Sequence, residues 1–218
     1  MASAPDRGFF VTFEGGDGVG KSTHIRRLAA HLRARGVDVV ETREPGGAPG
    51  AEEVRALLVR GNADRWSPKA EALLMFAARA EHLEKTILPA VTRGAVVLCD
   101  RFVDSTMAYQ GIAGGLGVDM IDALNDLVVG DDGPSLTFIL HAGEGEGLSR
   151  TKERSGDETR FESKGAAFQA AVVEGFFEIA RRHPERCVLI DTSGDVDAVS
   201  DAITRAFDAH HATRKARR

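Results

Sequence analysis

The run Gly15-Gly16-Asp17-Gly18-Val19-Gly20-Lys21-Ser22 follows an apolar stretch, 9–14, and precedes residues with a helical apolar stripe. Strand, glycine loop and helix in that order make a phosphate cradle. The glycines let consecutive backbone N–H groups turn inward around phosphate oxygens. A helix starting near Lys21 then aims its unpaired donors and the positive end of its dipole at them. Gly15 and Gly20 bracket four residues, which completes the spacing. Lys21 is expected to reach the outer phosphates as a point charge, and the Ser22 hydroxyl to ligate a bridging Mg2+. These features imply a nucleoside triphosphate as ligand.

Outward from the loop, the apolar runs 9–13, 37–40, 95–99, 136–140 and 188–190 are short and nearly continuous, as strands buried on both faces are. Helical stripes lie between them. Ile25, Leu28, Ala29 and Leu32 share one face up to Gly36, and Phe168, Val172, Phe176 and Ile179 share another that Pro184 closes. The same period recurs at Val196, Val199, Ile203 and Phe207. Ser67-Pro68 is a cap and first-turn pair opening a helix expected to run through Leu74, Arg79 and His82 towards Pro89. The alternation predicts an α/β fold with a five-stranded parallel sheet covered by helices on both faces, and ligands at the carboxyl ends of the strands.

With 218 residues, 43% hydrophobic and 28% charged, the chain suits one domain, 1–218. Residues 1–8 are polar and no apolar run has membrane-spanning length, which points to a cytoplasmic protein with no membrane partner. A net charge of -5 gives no general attraction to nucleic acid. The basic cluster Arg214, Lys215, Arg217 and Arg218 falls in a tail, 212–218, expected to be frayed. Cys99 and Cys187 sit in apolar runs and read as small buried hydrophobes. The seven histidines show no ligand spacing, so no metal beyond Mg2+ is indicated. The low-hydrophobicity stretch 143–165 reads as a linker or a mobile lid.

Run 95–99 ends in Asp100-Arg101, which sets a carboxylate and a guanidinium where the phosphates should lie. Asp100 could orient Mg2+ through its waters, and Arg101 could clamp a phosphate bidentately. The full stretch Asp100-Arg101-Phe102-Val103-Asp104-Ser105-Thr106-Met107-Ala108-Tyr109-Gln110-Gly111, with Thr42-Arg43-Glu44-Pro45-Gly46-Gly47, closely resembles bacterial thymidylate kinases. Further likeness runs through Phe13-Glu14-Gly15 to Lys21-Ser22-Thr23, the Arg55 helix, the segment from Leu73 to His82, and Arg160-Phe161-Glu162. The resemblance implies a homodimeric P-loop NTPase fold, with ATP and dTMP as ligands and transfer of the γ-phosphoryl group to dTMP to give dTDP.

By the same resemblance, Gly15, Gly16, Asp17, Gly18, Val19, Gly20, Lys21, Ser22 and Thr23 would bind ATP, with Ser22 and Asp100 holding Mg2+. Asp17 would lie near the sugar 3′-hydroxyl and the transferred phosphate, and Glu14 would support the loop. Arg43 and Pro45 would flank the acceptor pocket, and Arg55 and Arg101 would clamp the dTMP phosphate, Arg101 with Ser105 close by. Arg79 would donate to thymine O4, Thr106 and Gln110 would read the other base atoms, and Tyr109 would pack on the deoxyribose. In relatives the aromatic that stacks on thymine stands four residues before the arginine. Met75 holds that place here, with Phe76 one residue later, and Phe76 is taken as the stacker.

Gly18 stands where eukaryotic-type relatives place an arginine, so the charge that neutralises the transition state has to come from elsewhere. The basic lid, about 144–164, carries Arg150, Lys152, Arg154 and Arg160. Arg154, and next Arg150, are the expected catalytic cations alongside Lys21, Arg101 and Asp17. A phosphate acceptor is already deprotonated at neutral pH, so no general base is required. Two competing readings are a kinase acting on dUMP, another nucleoside monophosphate or a deoxynucleoside, and a P-loop switch or partition ATPase. The second lacks an Asn-Lys-x-Asp motif and has Asp100-Arg101 where a motor would carry an acidic pair.

Overall fold

The computed structural model describes residues 7–142, 160–161 and 164–216. Strands β1 (Phe9–Gly15), β2 (Val39–Arg43), β3 (Val96–Asp100), β4 (Leu136–His141) and β5 (Cys187–Asp191) form one parallel sheet in the order β2-β3-β1-β4-β5. All seven residues of β1 are buried, because it lies mid-sheet with helices above and below. The register aligns Phe13 with Asp100 and Asp100 with Arg43, so β1, β3 and β2 end in one row. The chain leaves β1 towards β2 and later crosses over β1 to β4. This reversal opens a crevice at the carboxyl ends of β1 and β3.

Strand alternation divides the core. Phe9, Val11, Phe13, Leu98 and Phe138 pack against α1 (Lys21–Ala34) and the C-terminal helix, while Phe10, Val97, Cys99 and Ile139 face the opposite layer. That layer contains α2 (Pro49–Val59), α3 (Pro68–His82), α4 (Leu88–Thr92), α5 (Val103–Thr106), α6 (Val118–Val128) and α7 (Ala166–Arg182). Helix α8 (Val196–Ala216) completes the other side. Cys99 and Cys187 are buried and unbridged. No helix among the described residues is long and apolar enough to cross a membrane.

Three features depart from expectation. The helix predicted from Ser67 towards Pro89 is interrupted by a π turn, Leu83–Ile87, before α4. Pro89 lacks an N–H and crowds the carbonyl four residues back; the wider turn, in which Leu88 N–H reaches Leu83 O, relieves both conflicts. Helix α6 was not foreseen, since Gly117 gives it no side-chain cap and only Ile121 is fully buried. Helix α8 continues to Ala216, inside the stretch expected to fray.

Candidate active site

The loop after β1 depends on backbone shape. Gly15 has φ +123°, and a Cβ there would stand 2.1 Å from Leu140 O, so only glycine lets the chain turn away from β4. Gly18 and Gly20 are also left-handed. Gly20 precedes α1 without a side-chain cap, which leaves the Lys21 and Ser22 N–H groups for a ligand. Lys21 is buried and folds back, its Nζ donating to Gly15 O (3.1 Å) and Gly16 O (2.6 Å). Burial lowers its pKa to about 8, so an arriving phosphate anion would strengthen its charge. Ser22 Oγ donates to Asp100 Oδ2 at 2.8 Å. Both are hard oxygen donors of the kind that could hold Mg2+. Among the described residues no cluster of three His, Cys, Asp or Glu side chains could hold a metal by itself.

Beside this loop stands Arg101, the one described non-glycine residue with positive φ, at 70°. Two bonds hold that strained backbone: Arg101 N–H to Phe13 O (2.9 Å) and Phe102 N–H to Glu14 Oε1 (2.7 Å). The Arg101 guanidinium lies 5.3 Å from the Tyr109 ring centre and donates to Gly15 O, Ser105 Oγ and, at 2.7 Å, Asp17 Oδ1. Burial works against the Asp17 charge, but Arg101 and Lys21 outweigh it and hold the carboxyl below its ordinary pKa. Burial pushes the Tyr109 hydroxyl up to about 12, so it stays a neutral partner 3.4 Å from Asp17. Ser105 passes its own hydrogen to Glu14. Burial and then the nearby Asp104 charge raise Glu14 from 4.5 to about 7.

A cavity of about 320 Å³ runs from Gly18, Gly20, Lys21 and Ser22, past Asp17, Asp100 and Arg101, to Arg79, Thr106 and Gln110. Arg43, Pro45, Arg55, Ser105 and Tyr109 also line it. Gly15, Gly16, Val19 and Thr23 are not on its wall; Thr23 N–H instead bonds to Gly20 O in the first turn of α1. Arg55 donates to Pro45 O at 2.8 Å, and half-exposed Arg43 pairs with Glu52. Arg79, 1% exposed, is fixed by Glu44 (2.9 Å) and Thr106 Oγ1 (3.0 Å). Its Nη1 is buried and unpartnered, as is Gln110 Oε1.

Phe76 does not line the cavity. Its ring lies in the core under the Arg79 guanidinium, 4.6 Å away, and Met75 takes the wall position. Position 76 points towards the sheet and position 75 towards the opening, so the helix rotation decides against the expected stacker. Arg150 and Arg154 lie outside the described residues, as does Lys152. Arg160, grouped with them from sequence, is 1% exposed; it donates to Leu58 O, Asn62 O and Ala63 O and pairs with Glu71, which makes it a pin rather than a free cation. Sequence reasoning assigned no role to Glu44, Glu71 or Lys164. Glu44 sits inside the quoted Arg43-Glu44-Pro45 run, but nothing in the chain around Glu71 signals that it is buried.

Known proteins resemble this chain in sequence and fold. Residues 13–203 match the thymidylate kinase family model. The thymidylate kinase of Caulobacter vibrioides is 57% identical over 198 residues, which cover 91% of this chain and 95% of that one. The thymidylate kinase of Ruegeria pomeroyi is 49% identical over 203 residues, 93% and 96% of the two chains. The crystal structure of thymidylate kinase from Ehrlichia chaffeensis superposes with a TM-score of 0.74 at 36% identity, covering 92% of this chain and 98% of that one. Sequence and fold thus agree over nearly the whole length, and the chain belongs to the thymidylate kinase family, whose members phosphorylate dTMP to dTDP with ATP.

Proposed function

We propose that dTMP lies in the cavity with its base against Arg79 and Gln110 and its phosphate towards Arg101, and receives there the γ-phosphoryl group of ATP held by the glycine loop. The observation that carries this pose is the pair of buried orphan atoms, the donor Arg79 Nη1 and the acceptor Gln110 Oε1. A buried polar atom without a partner costs about 1–3 kcal/mol. A thymine edge presents a carbonyl oxygen beside a ring N–H, so one base supplies both missing partners. Met75 offers an apolar surface next to them.

At the other end, Arg101 and Arg55 clamp the acceptor phosphate, and the phosphate takes over from Asp17 as the partner of Arg101. Asp17, released, accepts from the sugar hydroxyl. Lys21 turns from the Gly15 and Gly16 carbonyls to the outer phosphates of ATP. Ser22 and Asp100 would hold Mg2+, which would neutralise charge on the phosphates. The remaining transition-state charge is assigned to Arg154, with Arg150 next, on the family resemblance. The acceptor oxygen is anionic from the start, so alignment and cationic charge suffice.

The protein is further proposed to act as a cytoplasmic homodimer. Helices α3 and α6 pack together and leave Leu73, Met120 and Leu127 exposed at 51%, 40% and 80%, an apolar surface suited to a second copy. ADP formation with ATP and Mg2+ tests the reaction, with and without dTMP and with dUMP, AMP and thymidine in parallel. Strong stimulation by dTMP with dTDP as product is expected. Slow hydrolysis indifferent to every acceptor would overturn the proposal.

A further inference from the structure

Gln110 is 1% exposed and lines the cavity, yet it has no intrinsic preference for which end of its amide faces the opening. Glu71, in the first turn of α3 and also 1% exposed, supplies that preference. Its Oε1 accepts from Gln110 Nε2 at 2.7 Å and from Lys164 Nζ at 3.0 Å, while its other oxygen pairs with Arg160. An ionised carboxylate takes only donors, so the flipped amide would set oxygen against oxygen in a dry interior. Arg160 and Lys164 pair with the carboxylate and hold it in place. The result is a fixed acceptor, Gln110 Oε1, on a cavity wall that Arg79 with its own unpartnered donor also lines.

We propose that Glu71 is a positioning residue for base discrimination: by locking the Gln110 amide it makes the cavity demand a pyrimidine with a ring N–H beside a carbonyl, and so reject cytosine. The inference rests on the dTMP reading of the cavity. Cytosine would place its bare N3 lone pair against Gln110 Oε1 and its amino group against the Arg79 donor, two mismatches in a buried site. In Glu71→Gln, Arg160 and Lys164 draw the single remaining side-chain oxygen. The new amide N–H groups then face Gln110, which turns its own nitrogen towards the base. One mismatch with cytosine is removed and one with thymine is created.

The test is the ratio of kcat/KM for dTMP to that for dCMP, because a ratio taken on one sample is indifferent to the fraction folded. Glu71→Gln is expected to lower it at least tenfold, and in a Gln110→Ala background the same substitution should change it less than twofold. Lys164→Gln, which leaves the Glu71–Gln110 bond in place, should keep the wild-type ratio while lowering stability. An unchanged ratio in Glu71→Gln would overturn the inference, as would an equal fall in the Gln110→Ala background. If Glu71→Gln does not fold, Glu71→Asp keeps the charge but draws the carboxylate back from Gln110; the same fall is expected, and an unchanged ratio again overturns the inference. Wild-type protein that ignores dTMP would instead reject the reading of the cavity.

Discussion

Glu14 shows how a single side chain joins strand, loop and site. Its carboxyl is closed off from water and takes hydrogens from the Phe102 amide and the Ser105 hydroxyl, thereby supporting both the backbone and the side chain of Arg101. Burial and Asp104 raise its pKa to about 7, above the unfolded value, so the native state binds the extra proton. Its contribution to stability is therefore complete below about pH 4.5 and is lost as pH rises through 7, on the order of 3 kcal/mol. Urea unfolding at pH 5 and pH 8 should show this decline, and Glu14→Gln should flatten it. A wild-type slope shared by the variant would mean that other groups titrate. That Arg101, Asp17 and Lys21 meet at one cavity was legible because their motif spacing fixes them at the strand ends. Phe76 was not, since a step of one residue rotates a helix position by about 100° and periodicity alone does not say which of Met75 and Phe76 meets the cavity.

The strands could be read from composition because a strand buried on both faces has no polar side to blur it, and β1 and β3 are such strands. Helix α6 escaped because Gly117 supplies no side-chain cap to mark its start, and the π turn before Pro89 escaped because a wider turn leaves the hydrophobic pattern almost unaltered. Glycines, by contrast, mark where elements must separate. Gly15→Ala would drive a Cβ into the Leu140 carbonyl at the point where β1 leaves β4, and would strain a left-handed backbone. A loss of roughly 2–5 kcal/mol is expected, together with loss of ATP binding. Thermal melting and nucleotide titration check both, and a wild-type midpoint would show that the β1 end can yield.

At the scale of the molecule, two apolar layers grip one sheet, and the cavity opens where the topology reverses. This much follows from the order of elements. The partner surface does not, because an exposed leucine is ordinary on any protein. Leu127→Glu is expected to leave the fold intact, within about 0.5 kcal/mol for the isolated chain, and to convert a dimer to a monomer in sedimentation. A variant that sediments like the wild type would place the interface elsewhere.

The two sealed cysteines give this sheet a pair of internal clocks. Cys99 lies on β3 between β2 and β1, whereas Cys187 begins the edge strand β5. Burial raises both thiols, Cys187 to about 12, so native protein should resist alkylation and label only when it opens. Peeling back β5 frees Cys187, but freeing Cys99 requires the middle of the sheet to part. Timed alkylation read by mass spectrometry should therefore mark Cys187 first, and simultaneous marking would mean that the sheet opens only as a unit. Because β3 also carries Asp100 and leads into Arg101, ATP and dTMP together should slow the Cys99 clock more than that of Cys187, reporting occupancy of the cavity from inside the sheet.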